Sequence, residues 1–127
     1  MTVSDNSGAK TVKCIGFSCT RSVANIGDSI IVSVRTLIRN SGIGADRLRK
    51  TDRTTIQKGQ IYKALITRSR RGINNRKYGH RLAFDNNDVV PSNTQGSLLG
   101  SRISGPLTRE LRERNLIQIL SQSERIL

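Results

Sequence analysis

Short hydrophobic runs rich in β-branched residues recur along the first part of the chain, without the periodicity of a helix. In chain order they predict strands at Lys10–Cys19, Ser29–Ile38 and Ile61–Arg68. A further stretch, Leu82–Val90, predicts two short strands that are broken at 85–87 and ended by Pro91. Five strands in sequence order favour a small closed β-barrel, because closure removes exposed sheet edges.

The region after these strands predicts loops and one short helix. Pro106 fits the first position of a helix, where its preset backbone angle and missing N–H cost nothing. Leu107 and Leu111 are four residues apart and would share one helical face. Leu116–Leu120 is apolar enough to pack on the barrel, and Ser123–Leu127 is expected to form a terminal turn.

The fold class expected from these elements is a mainly β single domain over residues 1–127. It consists of a barrel at about 8–91 and a C-terminal loop and helix region at about 92–127. A loop at about 41–55, rich in Ser, Gly, Thr and charge, separates the second and third strands. We expect this loop to gain order by contacting a partner.

Positive charge is the strongest compositional feature, with 22 Lys and Arg against 9 Asp and Glu and a net charge of +13. A surplus of this size predicts a polyanionic partner. Sixteen of the cations are arginine, whose planar fork grips phosphate through two parallel hydrogen bonds, and this favours structured RNA. No apolar run approaches the roughly 20 residues of a spanning helix, so no membrane partner is expected.

The segment Arg68–Arg81 combines several cations with no acidic residue around a turn at Gly72 and Asn74-Asn75, which predicts a basic hairpin tip. Tyr78 is a candidate for stacking on a base, whereas most of the few other aromatic residues are expected in the core. The predicted RNA-binding residues are Lys10, Lys13, Arg68, Arg70, Arg71, Arg76, Lys77, Tyr78, His80 and Arg81.

The sequence offers no catalytic constellation, so an enzyme is not expected. Asp85 and Asp88 are close together, but aspartates in a turn accept backbone hydrogen bonds more often than they take part in catalysis. Cys14 and Cys19 are expected to be free thiols, because their spacing and the absence of a second pair do not suit zinc. We therefore expect no metal and no cofactor. The alternative hypotheses are a free-standing RNA-binding regulator or chaperone and, third, an enzyme acting on RNA.

Several motifs agree, in order, with one known family. They are Asp5-Asn6-Ser7-Gly8-Ala9 before the first strand, Gly27-Asp28 before the second, Lys58-Gly59 before the third, Phe84-Asp85-Asn86-Asn87 with Val90, and Gly100-Ser101-Arg102-Ile103-Ser104-Gly105-Pro106 continuing through Leu107-Thr108-Arg109-Glu110-Leu111-Arg112. The set resembles the universal large-subunit ribosomal protein L-fourteen family over nearly the whole chain. That resemblance implies a five-stranded β-barrel with a C-terminal loop and one or two short helices, bound to large-subunit rRNA.

The resemblance also implies a place at the subunit interface, beside ribosomal proteins of the L-three and L-nineteen families. The residues implied to face the interface, in a bridge toward small-subunit rRNA, are Ser101, Arg102, Arg109 and Arg112. A ribosome silencing factor docks nearby in the family, where lysine is common at the position of Gln118.

The chain also departs from the family pattern. Thr67 interrupts an aliphatic triplet, Pro91 stands at a normally aliphatic position, and 41–55 looks inserted. Such drift is typical of organellar ribosomes, so the expected location is the mitochondrial ribosome in the matrix. The alternatives are the bacterial cytoplasm and a plastid.

Overall fold

The computed structural model describes residues 1–18, 22–38, 56–74, 76 and 79–127. Within these residues five strands close into a barrel. They are β1 (Thr2–Val3), β2 (Ala9–Phe17), β3 (Ser29–Leu37), β4 (Ile61–Arg68) and β5 (Asp88–Ser92). Consecutive strands pair antiparallel, and β1 closes the barrel by pairing parallel to β5. The predicted mainly β fold with a closed five-stranded barrel is confirmed.

The identity of one barrel strand was predicted wrongly. Leu82 does not begin a barrel strand but makes a single bridge to Ile73, and β1 supplies the fifth strand instead. Thr2 lies opposite both Thr11 of β2 and Asp88 of β5, and the Met1 amino group donates to the carbonyl oxygen of Val12 over 3.0 Å. A strand of two residues is too short to leave a periodic pattern in the sequence.

Pro91 does not end the fifth strand, as had been expected, because β5 continues through it to Ser92. Pro91 lies opposite Ala64 of β4 and is buried. On its other side β5 pairs with β1 only at Asp88 and Val89, so Pro91 lies beyond that neighbour and its missing N–H is tolerated.

The core runs from the barrel interior into the C-terminal region. In the barrel it consists of β-branched and aliphatic side chains from alternating positions, including Val12, Ile30, Val32, Val34, Ala64, Ile66 and Val89. Ile103, Leu107, Leu111, Ile119 and Leu120 extend the same cluster beyond the barrel. Burial of each of these Val, Ile and Leu side chains contributes about 1.5–3 kcal/mol. The two regions therefore stabilise each other.

The C-terminal region contains β6 (Ile103–Leu107), α1 (Glu110–Glu113), α2 (Ile117–Ser121) and β7 (Ser123–Ile126). Pro106 lies inside β6 and does not start a helix, and the predicted terminal turn at 123–127 is instead β7, parallel to β6. The two helices have only four and five residues, too few for stability without tertiary packing. Among the helices of the described residues, none is long and apolar enough to cross a membrane.

Candidate nucleic-acid interface

The segment between β4 and β5 folds back on itself as a hairpin. Ile73 and Leu82 exchange backbone hydrogen bonds of 2.8 and 3.2 Å, and the Phe84 N–H donates to the Ser69 carbonyl over 3.2 Å. Lys77 and Tyr78, two of the predicted binding residues near its tip, lie outside the described residues.

Arg68, at the end of β4, is engaged inside the protein. Its side chain is 13% exposed and donates from Nη1 to Oδ2 of Asp88 over 2.7 Å. Its Nε donates to the Pro106 carbonyl over 2.8 Å, and its Nη2 donates to the Ser104 carbonyl. All three guanidinium nitrogens are thus directed at protein oxygens, so Arg68 joins the barrel to β6 and does not present its charge outward.

Arg76, in the hairpin, is engaged in a similar way. Its Nε and Nη2 form a fork with the two carboxylate oxygens of Glu110 over 2.6 and 2.9 Å, and Nη2 also donates to the Leu127 carbonyl over 3.1 Å. Hydrogen bonds from Arg76 lower the pKa of Glu110, while the Glu110 carboxylate raises the pKa of Arg76. Arg76 therefore fastens the hairpin to α1.

The remaining described basic residues of the hairpin are exposed and form what we call the hairpin group: Arg70, Arg71, His80 and Arg81. Within the described residues none of them forms an ion pair. The Arg70 N–H donates to Oδ1 of Asn87 over 2.8 Å, and Nη2 of Arg81 donates to the Arg71 carbonyl over 3.2 Å. The backbone is thereby held while most guanidinium donors face solvent.

A second set of cations lies on the outside of the barrel and forms what we call the wall group: Lys10, Lys13, Arg35 and Lys58. These residues line two adjoining surface depressions, and no acidic residue is among the described lining residues. The sequence predicted RNA binding for Lys10 and Lys13 but not for Arg35 and Lys58. Lys13 pairs with Ser33 of β3, and the Gly59 N–H donates to the Val34 carbonyl over 2.9 Å. These contacts bring Lys13, Arg35 and Lys58 together.

The four residues expected at the subunit interface differ in availability. Arg109 and Arg112 are exposed and form no ion pair with any described residue. Arg102 is exposed but pairs with Glu124 over 3.3 Å. Ser101 is held by Asn6, whose Oδ1 accepts the Ser101 N–H over 2.8 Å and whose Nδ2 donates to the Ser101 hydroxyl over 3.1 Å.

Asp5, next to Asn6 in the turn between β1 and β2, is almost entirely buried. Its Oδ1 accepts hydrogen bonds from the Ser7 backbone over 3.2 Å and the Ser7 hydroxyl over 2.5 Å. Burial raises the pKa of Asp5, and the bonds from Ser7 oppose this. Asp5 also forms a β-bridge with Ile103, so the Asp5-Asn6 turn connects the barrel to β6.

The two aspartates considered for chemistry on RNA differ in their surroundings. Asp88 is mostly buried and neutralised by Arg68, while Asp85 is exposed. No group of three or more potential metal ligands occurs within the described residues. The Cys14 thiol is free and half-buried, and Cys19 lies outside the described residues.

Comparison with known protein families gives a match over the whole chain. The family model described as ribosomal protein L14p/L23e matches residues 1–127 of the chain.

Proposed function

The chain belongs to the ribosomal protein L14p/L23e family, and from this premise we propose that it binds large-subunit rRNA through its wall and hairpin groups. The family makes the chain a structural protein of the large ribosomal subunit and gives it a ribosomal location. The observation that carries the proposal is that these two groups of exposed cations have no ion-pair partners within the described residues.

Phosphate binding suits the wall group because its cations line neighbouring depressions on a rigid sheet. Lys13 and Arg35 project from paired strands, and Lys58 lies in the turn bonded to β3. A rigid scaffold lowers the entropic cost of ordering each contact. The barrel wall would then bind the RNA backbone through its shape and charge, without sequence-specific contacts to bases.

The hairpin group would add a second contact to that of the wall group. Arg71 and Arg81 are adjacent through the bond between Arg81 and the Arg71 carbonyl, and Arg76 holds the hairpin against α1. Arginine forks form paired hydrogen bonds with phosphate oxygens. Arg76 acts in this proposal by positioning the hairpin and Arg68 by holding the barrel to β6, since protein oxygens occupy their guanidinium groups.

The interface role is proposed for Arg109 and Arg112, which are exposed around α1. They would face small-subunit rRNA, with Ser101 and Arg102 shaping the adjoining loop that Asn6 holds. Neighbours of the L-three and L-nineteen families and a silencing factor belong to the same proposal, on the resemblance alone. The mitochondrial ribosome is likewise proposed as the location, on the departures at Thr67, Pro91 and 41–55.

Sedimentation of tagged variants tests the rRNA proposal. We compare a wall variant (Lys13→Gln, Lys58→Gln), a hairpin variant (Arg71→Gln, Arg81→Gln) and a control (Lys63→Gln, Arg125→Gln), each with the same loss of charge. Lys63 and Arg125 are exposed and lie outside both groups. The wall and hairpin variants should be depleted from large subunits, whereas the control should comigrate stoichiometrically. Equal comigration of all three, or a wild-type pool free of ribosomes, would contradict the proposal.

A further inference from the structure

One end of the barrel opens into a cavity of about 490 Å³. Its floor is apolar, formed by side chains that face the barrel interior, and its rim carries Arg70 and Arg71. Both arginines belong to the hairpin group and are exposed. No acidic residue is among the described lining residues. Cavities of this size commonly hold small organic ligands.

An irregularity in β2 places the Phe17 side chain on the interior face near the open end. Cys14 pairs with Val32 and Phe17 pairs with Ile30. Between these two pairs β2 has one residue more than β3, and Ile15 is that extra residue. Val32 and Ile30 both face the interior, which places Cys14 and Phe17 on the interior face as well. Phe17 lines the cavity but is 42% exposed, because nothing in the described chain covers that end of the barrel.

The lining combines features that suit a nucleotide. A base presents two flat apolar faces, for which the Phe17 ring and the neighbouring Val23, itself 51% exposed, offer contact area. The attached phosphates carry charge that matches Arg70 and Arg71. An apolar side chain of a protein partner would fill the floor equally well, but it would leave the two rim arginines without a counter-charge.

We propose that the open barrel end, floored by Phe17 and rimmed by Arg70 and Arg71, receives one unstacked base of the bound RNA. The ring of Phe17 stacks on the base while the two arginines bind the flanking phosphates. This inference rests on the proposed rRNA binding and adds to it a single-nucleotide pocket, distinct from the shape-based contacts of the wall group. The cavity adjoining it beside α1 is less suitable, because Glu110 and Glu113 line it.

The test measures the affinity of the full chain for protein-free large-subunit rRNA over a range of salt concentrations. Phe17→Leu keeps the apolar character but removes the aromatic face. The matched control is Ile61→Leu, on β4 and 65% exposed, which is not among the described residues that line the cavity or the wall depressions. Because leucine loses the stacking but keeps part of the apolar contact, Phe17→Leu should weaken binding about fivefold. Its salt slope should equal that of wild type, because no charge is lost. Ile61→Leu should bind as wild type does.

Crosslinking gives a second readout that does not depend on stability. Irradiating the complex with rRNA that contains 4-thiouridine should attach nucleotides to the peptides bearing Phe17 or Val23. The pocket proposal is overturned if Phe17→Leu binds rRNA like wild type and no such crosslink forms. It is also overturned if Phe17→Leu impairs only the binding of a neighbouring protein. Failure of the rRNA proposal itself looks different, because wild type would then bind rRNA without a steep salt dependence.

Discussion

At the scale of single residues, arginines that look alike in the sequence have opposite roles. Arg68 and Arg76 are bonded to carboxylates and carbonyls of the protein, while Arg70 and Arg71 between them are exposed. The sequence could predict that the segment is basic, but not this division. The oxygens that engage Arg68 and Arg76 belong to residues 20 to 51 positions away along the chain, so only the fold decides which cations stay available.

Replacing Arg68 should destabilise the protein strongly. In Arg68→Gln the mostly buried Asp88 carboxylate loses its charge partner, and the carbonyls of Ser104 and Pro106 lose their donor. Removing one partner of a buried ion pair lowers the free energy of unfolding by about 3 kcal/mol. Urea unfolding should show this loss, whereas Arg70→Gln, at an exposed neighbour, should change stability by less than about 0.5 kcal/mol. Equal effects of the two substitutions would refute the assigned role of Arg68.

The pair formed by Arg76 and Glu110 should contribute a pH-dependent coupling. The pKa of Glu110 is lowered in the folded protein. The ionised Glu110 therefore stabilises the fold above its pKa in the unfolded chain, and this stabilisation is lost as the pH falls through its pKa in the folded protein. A double-mutant cycle with Arg76→Gln and Glu110→Gln should give about 1 kcal/mol at neutral pH. Repeating the cycle at acid pH should give a coupling near zero. A coupling that does not change with pH would show that the carboxylate charge is not involved.

At the scale of elements, the sequence predicted the strands that are long and β-branched and missed those that depend on a neighbour. The predicted strands at 10–19, 29–38 and 61–68 correspond to β2, β3 and β4. By contrast β1 has two residues, and the short strands β6 and β7 pair with each other, with a further bridge from Ile103 of β6 to Asp5. Pro106 misled the helix prediction because the parallel pairing with Arg125 holds it in an extended strand.

The hairpin requires glycine at its base. Gly72 has φ of 77° and a Cβ there would lie 2.5 Å from the Leu82 carbonyl oxygen. At Gly96, with φ of 86°, a Cβ would meet nothing within 4 Å. Gly96→Ala should therefore cost about 1 kcal/mol from backbone strain alone, and Gly72→Ala distinctly more. Thermal unfolding of the two variants checks this, and equal shifts in Tm would mean that the close approach at Leu82 is unimportant.

At the scale of the whole molecule, three of the seven described acidic residues form ion pairs that join parts of the fold. Glu110 joins the hairpin to α1, Asp28 of the barrel pairs with Arg114, and Asp88 holds the Arg68 that reaches β6. The exposed cations of the wall and hairpin groups consequently have no acidic neighbours in ion-pair range within the described chain. The composition predicts a polyanionic partner. Which surfaces are available to bind it depends on where the fold places the acidic residues.

The salt dependence of binding to large-subunit rRNA tests the central claim most directly. Binding by six to ten phosphate contacts should weaken about a thousandfold or more between roughly 50 and 200 mM salt. A variant with Lys13 and Arg81 changed to Gln should lower the slope of log affinity against log salt by about two. The control changes Lys63 and Arg125 to Gln, with the same loss of charge. It should keep nearly the wild-type slope; equal slopes for the two variants would contradict the account.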